Sequence, residues 1–248
     1  MYAATFFFLT AGLIFANPFY KNNTVKERAH LKEVGDIPLP EGYERLQLQE
    51  NSFGYFLRKQ PLKKDKTVYL YNGNPKHNQT AQYAVLNVSV GTKDLQQCAD
   101  AVMRLRAEYL KLQQKPVCFS DNAGRKYCWD QYRHRGWQSY LETVFGMCGT
   151  ISLEKELKPK DWKNLAAGDV LIKGGSPGHA VIIMDVAMHK TSGKLIFLLA
   201  QSYMPAQDIH ILKNINDKSI NPWYREYSTE NISTPEWTFY AAQLRSWR

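Results

Sequence analysis

The sequence predicts an α+β fold, with a helix packed on an antiparallel sheet and a β-rich N-terminal lobe. Three observations predict it. Between Gly168 and Tyr203, three short apolar, β-branched runs are separated by glycine, proline and polar residues, which reads as three strands. From about Leu95 to Gln114, apolar residues step by three and four, which reads as one amphipathic helix. Between Tyr43 and Val90, short strand-like runs are bounded by turn residues.

The chain has 248 residues, enough for a sizeable core. Hydrophobic content of 44% and charged content of 22% are ordinary globular usage, which argues against wholesale disorder. The organisation expected is a signal peptide over 1–16, a linker and β-rich lobe over 17–82, and an α+β domain over 83–248 with an insert at 116–165. Ala3 to Phe15 is uncharged and carries Phe6-Phe7-Phe8-Leu9 and Leu13-Ile14-Phe15; Ala16 then precedes Asn17-Pro18. That is the pattern of a secretory apolar core before a cleavage site, although its first residues hold no Lys or Arg. An uncleaved anchor is the rival reading, and the run is short for a span. No later stretch is long and apolar enough to cross a bilayer, so no stable span is expected after cleavage. The expected location is exported: periplasm, cell envelope or extracellular space.

The lobe comes next. Gly35 to Tyr43 is extended and rich in Pro and Gly. Strands are expected at Tyr43–Leu48, Gly54–Leu57 and Val68–Tyr71. A half-buried strand is expected at Tyr83–Val90, where Ala84, Leu86, Val88 and Val90 alternate with other residues. Asp94 is the expected N-cap of the helix, with Gln97 three residues on. Leu95, Cys98, Val102, Leu105, Tyr109 and Leu112 share its apolar face, and Pro116 ends it. Val117 to Trp129 reads as a hairpin turning at Asp121-Asn122-Ala123-Gly124. That turn sets Cys118 opposite Cys128, where export permits a disulfide. Tyr132 to Met147 is partly helical, Pro205 to Leu212 another strand, and Trp237 to Trp247 a closing strand or helix.

The formal charge is +9, which draws nucleic acid, anionic lipid and acidic polymers alike. No basic block is dense enough for a nucleic-acid arm, so no nucleic-acid partner is expected. Peptidoglycan or another anionic envelope polymer suits an exported basic chain. The four cysteines, Cys98, Cys118, Cys128 and Cys148, do not have zinc-site spacing, and neither a metal nor a cofactor is expected. Sequons begin at Asn22, Asn78, Asn87 and Asn231.

The candidate chemistry is a thiol and an imidazole. Cys98 lies near the start of its helix, where free N–H groups and the positive end of the macrodipole favour thiolate. His179 opens the second of the three strands beside the glycine loop Gly174 to Gly178. Gln201 or Ser202, ending the next strand, is placed to orient its ring. The helix-start N–H groups can stabilise an oxyanion. The rival reading makes Cys98 a buried structural residue or half of a Cys98–Cys148 disulfide. Asp185 is expected to make a structural hydrogen bond from the His179 face of its strand, and His210 to sit on a strand surface. Trp137, Tyr140, Tyr203 and Trp223 are expected to pack.

A cysteine opening a helix, Gly168-Asp169-Val170, Gly178-His179-Ala180-Val181-Ile182-Ile183 and a polar residue on the next strand together resemble the papain-like NlpC and CHAP families. The chain is also similar to a family of uncharacterised exported bacterial proteins carrying segments like Gln97-Cys98-Ala99-Asp100-Ala101 and Gln201-Ser202-Tyr203-Met204-Pro205-Ala206-Gln207. The resemblance covers roughly Tyr83 to Ile211. It implies a papain-like core with Cys98 as nucleophile, His179 as general base and Gln201 as orienting residue. The implied activity is an exported cysteine peptidase or amidase cutting peptidoglycan peptides. Departures are plain: NlpC enzymes carry Asp-Cys-Ser-Gly where this chain has Gln97-Cys98-Ala99-Asp100, and their third residue is commonly His. The alternative is a non-catalytic envelope module of the same fold that binds a glycan, peptide or protein partner.

Overall fold

A computed structural model describes residues 1, 31–225 and 231–248. Residues 31–225 and 231–248 belong to one compact unit. The signal-peptide segment beyond Met1, the linker up to His30 and the Asn22 sequon lie outside the described residues.

The chain forms β1 (Tyr43–Arg45), α1 (Phe53–Arg58), β2 (Gln82–Val85), α2 (Cys98–Leu112), β3 (Cys118–Ser120) and β4 (Lys126–Cys128). It continues through α3 (Trp129–Tyr132), α4 (Trp137–Met147), α5 (Thr150–Glu156), β5 (Lys158–Pro159), β6 (Val170–Lys173), β7 (His179–His189) and β8 (Leu195–Gln201). The last strands are β9 (His210–Leu212), β10 (Tyr224–Arg225), β11 (Asn231–Ser233), β12 (Thr238–Tyr240) and β13 (Leu244–Ser246). The architecture is α+β around one large antiparallel sheet, which is not closed. Its strands run β2-β9-β8-β7-β6-β13-β5, with β1 also paired to β7 and β10 to β8.

The three strands expected between Gly168 and Tyr203 are β6, β7 and β8, and they form the centre of this sheet. The sheet is covered on both sides, which is why β7 and β8 read as continuous apolar runs rather than alternating ones. Ala180, Ile182, Ile196, Leu198 and Ala200 join the core containing α2, while Val181, Ile183, Phe197 and Leu199 join a second core containing Phe239 and Leu244. A bulge between Ile183 and Asp185 shifts the alternation. After it, Val186 lies with Ile183 in the second core and Ala187 with Met184 in the first. Asp185 therefore leaves the His179 face, contrary to simple parity. Its carboxylate instead takes Arg58 of α1 at 2.6 Å and Arg45 of β1 at 2.9 Å. The structural role expected of Asp185 holds.

The hairpin forms as expected. Cys118 pairs with Cys128 in β3–β4, and the two are disulfide-bonded. Gly124 closes the turn at φ +85°, a conformation glycine adopts without strain.

Several expectations are corrected. Gly54–Leu57 is not a strand but part of α1, because the Ser52 hydroxyl accepts the N–H of Tyr55 and caps a helix there. Val68–Tyr71 makes isolated bridges, such as Tyr69 to Pro75, rather than a strand. The N-cap of α2 is Gln97, not Asp94; Asp100 reaches back to the Gln97 N–H at 3.0 Å. Asp94 instead accepts the N–H of Ala206 at 2.7 Å, tying the helix entry to the segment after β8. Leu112, expected on the apolar face, is exposed at the helix end. His210 is fully buried between β2 and β8, not on a strand surface. Among the described residues no helix is long and apolar enough to cross a membrane.

Candidate functional site

The start of α2, the start of β7 and the segment after β8 meet at one cleft of about 730 Å³. Its wall includes Cys98, Asp100, Cys148, His179, Tyr203 and Trp237. Cys98 is the first residue of α2. α2 packs across the sheet through Ala101, Val102 and Leu105, and this sets Cys98 against β7. His179 comes from the loop Gly174–Gly178. Gly178 is required there by space: a Cβ would lie 2.5 Å from the Gly175 carbonyl oxygen and from Thr150 Oγ1.

Cys98 and Cys148 are both free, so the alternative disulfide between them does not form. Both thiols are buried. The N–H groups of Ala99, Ala180 and Cys98 itself favour a thiolate on Cys98, as the helix start leads one to expect. They do not prevail. Burial, and then the carboxyl of Asp100, push the Cys98 thiol up to about 11. Burial likewise pushes Cys148 up to about 12. The expectation of a resting thiolate is therefore corrected: desolvation outweighs the helix terminus.

His179 is 1% exposed. Burial pulls it down to about 4, against the opposing pull of the Gln201 hydrogen bond and the Glu236 charge. Thiol and imidazole are thus both neutral at rest, and no hydrogen bond joins them among the described residues. The ring is enclosed by aromatic carbon: centroids of Tyr203, Trp237 and Phe239 lie 4.8, 5.2 and 5.8 Å away. Its Nε2 is 2.8 Å from Gln201 Oε1. Of the two candidates for the third position, Gln201 is the one that meets His179. The Ser202 hydroxyl donates to backbone, with the carbonyls of Gln96 and Gln207 at 2.8 and 2.9 Å.

Behind Gln201 lies a polar cluster that the sequence did not reveal. Gln201 Nε2 donates to Glu236 Oε2 at 2.7 Å, and the same oxygen is ion-paired with Lys76 at 2.5 Å. Lys76 and Glu236 are 160 residues apart, so no local pattern marks them. Two polar atoms in the cleft residues are buried without a partner, Asp100 Oδ1 and Trp237 Nε1. Asp100 carried one legible signal, its place three residues after Gln97, the spacing of an N-cap partner. Of the aromatics expected to pack, Tyr140 and Trp223 are fully buried, whereas Tyr203 lines the cleft. Among the described residues no cluster of His, Cys, Asp and Glu could hold a metal ion.

A family model described as domain of unknown function (4846) matches residues 34–136 and 125–246. The chain belongs to that family. Cys98 falls in the first matched segment, and His179, Gln201 and Glu236 fall in the second. The family description carries no activity, and nothing in the match ties the chain to the NlpC or CHAP peptidases. No curated protein and no solved structure matches the chain.

Proposed function

We propose that the chain is an exported thiol hydrolase of papain-like design that cleaves amide bonds, with peptidoglycan peptides as its substrate class. One observation carries the reading: a free cysteine at a helix start and a histidine held by Gln201 share the wall of a cleft sized for a peptide. Export is supported by the apolar run at the N-terminus, and the Cys118–Cys128 disulfide suits an oxidising compartment.

The mechanism starts from a neutral pair. His179 takes the Cys98 proton as sulfur attacks the substrate carbonyl, so thiolate forms during attack and does not accumulate beforehand. N–H groups at the start of α2 stabilise the oxyanion. The imidazolium then protonates the leaving amine as the carbon–nitrogen bond breaks and an acyl-enzyme remains. Water, deprotonated by His179, releases the acid and restores the thiol. Thiol and ring must close on each other when substrate binds, a tightening common in such sites.

The second reading is a non-catalytic envelope module that binds a glycan, peptide or protein partner in the same cleft. It is favoured by the Cys98 thiol standing at about 11. Incubation with purified peptidoglycan separates the two. Under the hydrolase reading wild type releases new amino ends and Cys98→Ala does not. Sedimentation of both proteins with the polymer, without release by either, replaces the hydrolase with the binding module. Equal release by both removes Cys98 as nucleophile.

A further inference from the structure

We infer that Glu236 and His210 act through the Gln201 amide to fix the tautomer of His179, placing the proton on Nε2 and the lone pair on Nδ1. This deepens the hydrolase reading and rests on it for its meaning, although its test does not require turnover. The inference follows from donors and acceptors. Glu236 is ion-paired with Lys76 through Oε2, and its Oε1 takes the Asn78 amide at 3.2 Å. An ionised carboxylate only accepts, so the group of Gln201 that faces Glu236 at 2.7 Å must be the NH₂.

His210 imposes the same orientation independently. Its Nδ1 lies 2.9 Å from the backbone carbonyl of Asp208, which can only accept, so Nδ1 carries the proton. His210 Nε2 is then a bare acceptor, and it faces Gln201 Nε2 at 3.5 Å. Burial holds His210 neutral by pulling it down to about 4. The Gln201 nitrogen thus sits between two acceptors, and its oxygen has one direction left, toward His179 Nε2 at 2.8 Å.

An amide oxygen accepts, so His179 Nε2 must donate, and in a neutral ring that leaves Nδ1 unprotonated. The aromatic faces of Tyr203, Trp237 and Phe239 offer the ring no competing acceptor. Nδ1 makes no hydrogen bond among the described residues. The lone pair a general base needs is therefore set by residues that touch neither thiol nor substrate. Glu236, His210 and Gln201 are positioning residues.

Two-bond proton–nitrogen spectra of the histidine rings, recorded on the full chain at pH 7, test this. His179→Gln and His210→Gln assign the signals. The expected wild-type result is one neutral tautomer at each site: His179 protonated on Nε2, and His210 protonated on Nδ1. Glu236→Gln gives residue 236 a donor, removes the shorter of the two contacts that hold the Gln201 amide and leaves only the 3.5 Å contact to His210, so His179 shifts to a mixture of tautomers. Gln201→Leu produces the same shift, which covers the case in which Glu236→Gln does not fold. A wild-type His179 protonated on Nδ1, or an unchanged His179 signal in folded variants, overturns the inference. Absence of peptidoglycan cleavage would instead overturn the hydrolase reading, so the two failures are distinguishable. If the hydrolase is active, Glu236→Gln lowers kcat with KM unchanged, which a purely structural role would not do.

Discussion

Alkylation of Cys98 across pH is the sharpest probe of the resting site. The thiolate, not the thiol, reacts with iodoacetamide. At its ordinary 9.0 a cysteine is about 3% thiolate at pH 7.5; raised to about 11, Cys98 is about 0.03% thiolate. The structure therefore predicts labelling about 100-fold slower in the folded chain than in the chain unfolded by urea. Labelling for fixed times, quenching, digestion and mass spectrometry read Cys98 and Cys148 separately, with the unfolded chain as reference. Restricted access also slows the reaction, but access does not move the pH midpoint. The decisive result is thus the profile: the Cys98 rate climbs steadily with pH and shows no plateau below pH 10. A plateau near or below pH 8 would show a preformed thiolate–imidazolium pair. It would refute the argument that desolvation and Asp100 outweigh the helix-start N–H groups.

Three further outcomes follow from the packing. Cys118→Ser opens a loop spanning a separation of 10 residues and lowers stability by about 3 kcal/mol, read from urea unfolding without reductant. Asp185→Asn leaves Arg45 and Arg58 without their carboxylate and costs about 3–5 kcal/mol by the same assay; a loss under 1 kcal/mol would mean the two arginines find other partners. His210 is buried and pulled from 6.5 to about 4, so between those values the unfolded chain binds the proton and the folded chain does not. Its contribution is complete above pH 6.5 and declines as pH falls toward 4, by about 3 kcal/mol. The stability lead of wild type over His210→Gln should therefore shrink by that amount between pH 7 and pH 4; a constant lead would show His210 protonated when folded.

The parts of the site legible in sequence were those whose signal is local. Cys98 announced itself through the periodicity of its helix, His179 through a strand start beside a glycine loop, and Gln201 through its place at a strand end. What failed did so for identifiable reasons. Gly54–Leu57 carries aromatic and aliphatic residues that suit either state, and the Ser52 cap decided for helix. Parity put Asp185 on the His179 face, and a bulge at Met184 removed it. The thiolate expectation rested on the dipole of α2, and burial entered only through the rival reading; Cys98 is free but buried, and how far burial outweighs the dipole depends on what packs over it.

By itself the sequence determined the α+β class, the β6–β7–β8 centre of the sheet and the Cys118–Cys128 pairing. Each follows from side-chain period or turn length within about twenty residues. Only the tertiary structure decided how the candidate site is set. It left Cys98 free but protonated, chose Gln201 over Ser202, and brought Lys76 and Glu236 behind Gln201. The physical reason is that protonation and tautomer depend on desolvation and on hydrogen-bond partners drawn from distant strands, which no local pattern in the chain encodes.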